Sequence, residues 1–215
     1  MTGAPELAFE VLGGAHEPHA AVPTLRLELQ VTESLDREVY AITLATQVNL
    51  DPARRAYDDA TRAELVDLFG EPVRWPATTR SFVWTQVDAM VHSFTGATTF
   101  SLRVPCSADM EVAATRYIGA LTDGEVPLSL HFTGRVLYPS DGGRLQIVQI
   151  PWSTSAQYRL PVAQWQEMMA HHHGDAGFVR MRAETLRALS RHKAARGLPS
   201  LDACIEELLT EEART

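Results

Sequence analysis

The sequence predicts an α+β chain that is mainly β: an antiparallel β-sandwich, or a strongly curved sheet, followed by a C-terminal segment of three helices. Three observations carry this. Apolar and polar residues alternate with a period of two along most of residues 1–150. Pro, Gly and Asp cluster between the alternating runs, as turns require. After Pro161 the period changes to that of a helix. The predicted organisation is one domain, with a β core over 1–155 and a helical segment over 156–215 packed on it.

The elements follow in order. Residues 7–12 read as a short strand that Gly13-Gly14 end. Leu25, Leu27, Leu29 and Val31 then alternate with Arg26, Glu28, Gln30 and Thr32, which places them on one buried face of a strand. Tyr40, Ile42, Leu44, Thr46, Val48 and Leu50 share a face in the next strand. The short connection around Ser34-Leu35-Asp36 predicts that these two strands pair antiparallel. Asp51-Pro52 breaks the second, and a helix is predicted over 59–69, with Thr61 and Glu64 at capping-box spacing and Gly70 just past its end. Further strands are predicted over 80–92, 98–105, 126–138 and 144–150, the last two forming a hairpin about Asp141-Gly142-Gly143. Between them, residues 108–122 have helical spacing in Met110, Ala113, Ala114, Tyr117, Ile118 and Leu121, although Met110-Glu111-Val112 could open as strand. In the tail, Pro161 suits the first turn of a helix whose stripe is Val162, Trp165, Met168 and Met169. A second helix runs from about Gly177 to Arg196. A third, capped by Ser200, carries Leu201, Cys204, Ile205, Leu208 and Leu209 on one face.

Composition narrows the function classes. The 215 residues are 45% hydrophobic, which supplies a core without a metal or disulfide staple. The net charge of −8 disfavours phosphate backbones and anionic membranes as partners. No apolar run is long enough to span a bilayer, and the N-terminal residues lack a secretory pattern, so a reducing cytoplasm and free thiols at Cys106 and Cys204 are expected.

Few residues suggest chemistry. His171-His172-His173 resembles a metal site, but consecutive helical positions point about 100° apart and cannot close on one ion. The expectation is therefore no metal and no cofactor, with nickel or zinc binding at His171–His173 kept as a third possibility. Cys204 lies on an apolar helix face and reads as core. Cys106 follows Pro105 at a strand end, where a helix starting near Asp109 could lower its pKa, while the Asp109 and Glu111 carboxylates would oppose a thiolate. Hydrolase elbows and nucleotide-binding loops are absent. Arg74-Trp75 and Arg54-Arg55 with Tyr57 form two cationic–aromatic clusters, a pairing common in interface hot spots. The plainer reading is that Trp75 plugs the core and Arg74 pairs with a carboxylate such as Asp67.

In sequence order, Arg54-Arg55-x-Tyr57, Leu68-Phe69-Gly70-Glu71-Pro72-x-Arg74-Trp75, Val104-Pro105-Cys106, Ala120-Leu121-x-Asp123-Gly124-Glu125-Val126-Pro127-Leu128 and Pro151-Trp152 resemble an uncharacterised family of actinobacterial domain-of-unknown-function proteins. Members are often encoded near uptake nickel–iron hydrogenases. The resemblance implies an accessory or assembly role, with a hydrogenase subunit or maturation factor as partner.

Two functions are therefore weighed. One is a non-catalytic accessory protein that binds a partner through an exposed apolar patch near Arg74 and Trp75 or along Met168 and Met169. The other is an enzyme or small-ligand binder in which Arg55, Arg74, Cys106, Asp109 and Glu111 converge on a pocket.

Overall fold

A computed structural model describes residues 4–106, 112–140, 142–174, 179 and 181–212. The chain forms two compact units, Met1–Asp175 and Ala176–Thr215.

The first unit is mainly β, and each of its sheets is antiparallel. Strands β1 (Leu7–His16), β2 (Thr24–Glu33) and β7 (Ala97–Pro105) form a three-stranded sheet in the order β1–β2–β7. The larger sheet runs β10 (Ser155–Pro161), β8 (Glu125–Pro139), β4 (Ala41–Leu50), β5 (Phe82–Val91). Strand β9 (Leu145–Gln149) pairs with the C-terminal third of β8. Short strands β3 (Glu38–Val39) and β6 (Phe94–Thr95) pair separately. Neither larger sheet closes on itself.

Alternation sets the buried faces: Leu25, Leu27, Leu29 and Val31 on β2, and Ile42, Leu44, Thr46, Val48 and Leu50 on β4. Each fully buried Leu, Ile or Val side chain stabilises the fold by ~1.5–3 kcal/mol. Phe9 of β1 stacks on Phe132 of β8 with ring centroids 4.3 Å apart, so both sheets contribute to one core. The 126–138 and 144–150 hairpin forms as predicted, as β8 and β9.

The predicted pairing of 25–32 with 40–50 does not form: β2 lies between β1 and β7, and β4 between β5 and β8. The cause is the turn at Glu33. Its buried carboxylate accepts from the backbone N–H groups of Glu6, Leu35 and Arg37 at 3.0, 3.0 and 2.6 Å, and Asp36 adopts a positive φ of 51°. These contacts redirect the chain to the other sheet instead of returning it alongside β2.

Other boundaries also move. Gly13-Gly14 do not end β1; the strand continues to His16 through a bulge between Val11 and Gly13. The 59–69 helix is two pieces, α1 (Asp59–Glu64) and α2 (Val66–Phe69). Asp58, not the Thr61/Glu64 pair, caps it by accepting from Thr61 N–H at 2.7 Å. A short helix α3 (Trp75–Thr78) follows. Within the ambiguous 108–122 stretch, α4 spans Val112–Gly119, and the alternative of a strand over 110–112 falls largely outside the described residues. Strand β10 is the longest element the sequence reading omitted, although Ala156, Tyr158 and Leu160 do alternate with Ser155, Gln157 and Arg159.

The two compact units divide at 175/176. Helix α5 (Val162–His173) packs with β1, β10 and α4 inside the first unit, and its Trp165 meets Trp84 of β5 edge-to-face at 5.7 Å. The second unit contains α6 (Ala183–Arg196) and α7 (Leu201–Glu212). Gly197 ends α6 in the left-handed region, Ser200 caps α7 through Ala203 N–H at 3.0 Å, and Arg196 ties the pair by bonding Glu207 and Glu211.

Candidate functional site

Arg55, Tyr57 and Trp75 do converge. They line an open cleft of about 700 Å³ together with Pro52, Arg62 and Thr79. Beneath it lies an aromatic cluster. Tyr57 meets Trp75 edge-on at 5.2 Å, Phe69 meets Trp75 at 5.6 Å, and Tyr117 meets Phe69 at 5.8 Å. Edge-to-face pairs of this kind add to the energy of simple burial.

The polar groups of this cleft are directed at the protein itself. Trp75 is only 7% exposed, and its indole N–H donates to Gly70 C=O at 2.8 Å. The Tyr57 hydroxyl donates to Pro52 C=O at 2.7 Å and lies 2.8 Å from the Tyr117 hydroxyl. Burial pushes both phenols above their ordinary pKa, so they stay protonated. The Arg55 guanidinium donates to Asp123 C=O at 2.7 Å and Glu125 C=O at 3.0 Å, and its charge lies 3.3 Å from the Asp123 carboxylate. It therefore clamps the loop entering β8. Gly124 fits beneath it, where a Cβ would approach Nη1 to 3.3 Å. Arg55 Nε is buried without a partner among the described residues.

The remaining predicted site residues do not join this cleft. Arg54 points to a separate groove and donates to Gln157 at 2.8 Å. Arg74 is exposed and does not line the cleft, and Asp67 pairs with Arg116 at 3.1 Å instead. Cys106 is buried in the core, its thiol donates to Val104 C=O at 3.2 Å, and burial pushes its pKa up to about 12. A thiolate nucleophile requires the opposite shift. Asp109 and Glu111 lie outside the described residues. His171 contacts Pro18 C=O at 2.9 Å and its ring lies 5.6 Å from that of His16. Burial and the neighbouring histidines lower the pKa of His172. Among the described residues, no set of three His, Cys, Asp or Glu side chains is placed to hold a metal. The Met168 face is not free either: Met168 is buried in the core.

The cleft exposes Val73, at 86%, and further apolar side chains are exposed on another face. Trp152, in the turn between β9 and β10, is 88% exposed, and Ile147 on β9 is 61% exposed. Strand register lays out the surrounding face row by row. Ile147 is opposite Leu137, which is opposite Ala41; Gln149 is opposite Arg135, which is opposite Thr43 and then Met90. Two grooves of about 410 and 350 Å³ lie on this face, and Gly134 and Arg135 line both. Trp152 borders the first groove and Asp88 the second. Gly134 is obligatory in the floor, because a Cβ there would come within 2.0 Å of Thr43 C=O. Period-two alternation could not reveal this face. Leu145 and Ile147 flank Gln146 as buried strand residues do, and Val148 and Gln149 then break the alternation.

A family model described as a family of unknown function, DUF6084, matches residues 4–215. The chain belongs to that family. No curated protein matches it in sequence. Among solved structures it is similar to a protein described as late embryogenesis abundant, at 15% identity and a TM-score of 0.32, covering 74% of this chain and 72% of that one. It is also similar to a protein described as ApaA from Bordetella pertussis, at 9% identity and TM-score 0.26, over 73% and 93% of the two chains. A β-glucosidase from Kluyveromyces marxianus is matched at 5% identity and TM-score 0.25, over 73% of this chain and 15% of the enzyme. Among the described residues, no helix of this DUF6084 member is long and apolar enough to cross a membrane.

Proposed function

We propose that this chain is a non-catalytic accessory protein, built on a β-sandwich, that binds a partner protein through the face carrying Ile147, Arg135 and Trp152. The single observation behind this reading is the exposure of Trp152 beside Arg135. Trp and Arg dominate interface hot spots, and a Trp left in water contributes little to the monomer's stability. The internal hydrogen bonds of Trp75 and Tyr57 and the protonated Cys106 thiol also favour binding over catalysis. The resemblance to actinobacterial proteins encoded near nickel–iron hydrogenases names the partner as a hydrogenase subunit or maturation factor in the cytoplasm.

The test is affinity capture from the native host at endogenous expression, comparing the native chain with Trp152→Ala. The reading expects a hydrogenase subunit or maturation factor to be retained by the first and lost from the second. Equal retention by both would contradict the assigned face.

A second reading, a small-ligand binder, rests on the cleft of about 700 Å³ with the buried, unpartnered Arg55 Nε beside it. Native mass spectrometry of the purified chain tests it: a bound small molecule released by Arg62→Glu would support it, and an unliganded chain would oppose it.

A further inference from the structure

Strand β9 presents an unpaired edge. Two backbone hydrogen bonds fix its phase: Ile150 N–H donates to Gly134 C=O at 3.0 Å, and Ser140 N–H donates to Arg144 C=O at 2.8 Å. In an antiparallel ladder, hydrogen-bonded and non-hydrogen-bonded pairs alternate. With pairs 134/150 and 140/144 hydrogen-bonded, 136/148 and 138/146 are too, whereas Leu145, Ile147 and Gln149 face β8 in non-hydrogen-bonded pairs. Their N–H and C=O groups therefore point away from the sheet. Among the described residues the strand pairs with β8 alone, and β10 occupies the other end of that neighbour.

Such an edge is a template for another strand, and proteins commonly blunt it with charge or proline. This one carries neither: its sequence is Leu-Gln-Ile-Val-Gln, with Leu145 and Ile147 both exposed. The charge lies at its two ends instead. Arg144 precedes the strand, and Arg135 is opposite its last residue, Gln149. Both arginines are exposed, and neither has a carboxylate within 4.0 Å among the described residues. In a chain of net charge −8, an apolar edge bracketed by unpaired cations selects an acidic occupant.

We infer that β9 receives an extended, acidic segment of the partner as an added antiparallel strand, with alternate apolar side chains against Leu145 and Ile147 and terminal carboxylates at Arg135 and Arg144. This rests on the partner-binding reading and specifies its chemistry. Main-chain hydrogen bonds supply affinity and the flanking side chains supply selectivity. A second copy of the same strand lacks any acid to meet these arginines.

The probe is a blocked, fluorescent peptide of about six residues, long enough to span β9, reading Glu-Thr-Val-Thr-Val-Glu, in which period two places the first Glu and both Val on the Ile147 face with Arg135 and the last Glu on the opposite face with Arg144. Comparison peptides replace both Glu by Lys, or carry N-methyl groups on the amides that face β9. Anisotropy titration with the full chain should show about tenfold weaker binding for each comparison peptide, equal to about 1.4 kcal/mol. Ile147→Pro removes only an outward N–H from the backbone ladder and should weaken the acidic peptide similarly. Arg135→Glu should reverse the preference toward the Lys peptide. Both variants are checked for native circular dichroism, and the charge reversal stands as a test even where the proline variant fails to fold. Equal binding of methylated and unmethylated peptides would overturn the inference, as would an unchanged preference in Arg135→Glu. Dimerisation of the chain abolished by Ile147→Lys would also overturn it, assigning the edge to a second copy. Failure of every peptide, alongside Trp152-dependent retention of a partner, would remove strand addition and leave the docking face standing. Loss of the Trp152 dependence would remove the docking face itself.

Discussion

Two tryptophans beside prolines end up in opposite environments. Trp75 is buried, hydrogen-bonded to Gly70, and packed by Tyr57 and Phe69. Trp152 follows a proline in a turn and stands almost wholly in solvent. The same contrast extends to the arginines. Arg55 directs its donors into the protein, whereas Arg135 has no carboxylate partner within 4.0 Å among the described residues. Residue type alone does not mark a binding site. What distinguishes the two regions is whether the polar groups and apolar area are already used in the monomer.

Substitutions sharpen this contrast, and the largest effect belongs to the tryptophans. Trp75→Ala should cost about 3–5 kcal/mol in denaturant unfolding, because it leaves a cavity beneath the cleft. Trp152→Ala should stay within about 0.5 kcal/mol of the native chain. Comparable losses at both positions would break the comparison. Next, Arg55→Met should cost about 1–3 kcal/mol, with accelerated amide hydrogen exchange concentrated around residues 123–125. Uniform acceleration across the chain would show that Arg55 is not a local clamp.

Gly134→Ala should lower stability by more than about 1 kcal/mol, since the added methyl meets Thr43 C=O and the backbone there has a φ of +147°. An unaffected melting temperature would show that the floor of the outer grooves can relax. The smallest effect is alkaline. An unfolded thiol ionises near pH ~8.5, whereas burial holds Cys106 protonated to about 12. Its contribution is therefore complete below the unfolded pKa and is lost as pH rises toward the folded one. Cys106→Ala should show a shallower fall in melting temperature between those limits. Rapid alkylation of native Cys106 near neutral pH would contradict its burial.

How far the sequence reached depends on which forces are local. The alternation of Leu25 to Val31 and of Ile42 to Leu50 sets the buried faces correctly, because side-chain direction in a strand is a property of the strand alone. Pairing is not local. The short link after Val31 suggested a hairpin, and only the buried Glu33 carboxylate, collecting three backbone N–H groups, explains why the chain crosses to the other sheet. A lone Glu in an otherwise apolar-alternating run was the available signal. Arg55 with Tyr57 and Arg74 with Trp75 were legible as cationic–aromatic clusters, but the direction of the hydrogen bonds of Arg55 was not, since it depends on the loop from Asp123 to Glu125. The outer face was missed for a different reason. One side of β9 carries Leu145, Ile147 and Gln149 and the other Gln146 and Val148, so alternation does not state which side faces water.

The proposed partner binding uses the Ile147–Arg135–Trp152 face and not the Trp75 cleft. The most direct measurement is quantitative recovery of the captured partner by equal amounts of folded native chain, Trp152→Ala, and Arg62→Glu, which alters the cleft. The account predicts about a tenfold or greater loss for Trp152→Ala and native recovery for Arg62→Glu. Undiminished recovery with Trp152→Ala, together with a loss in Arg62→Glu, would contradict it.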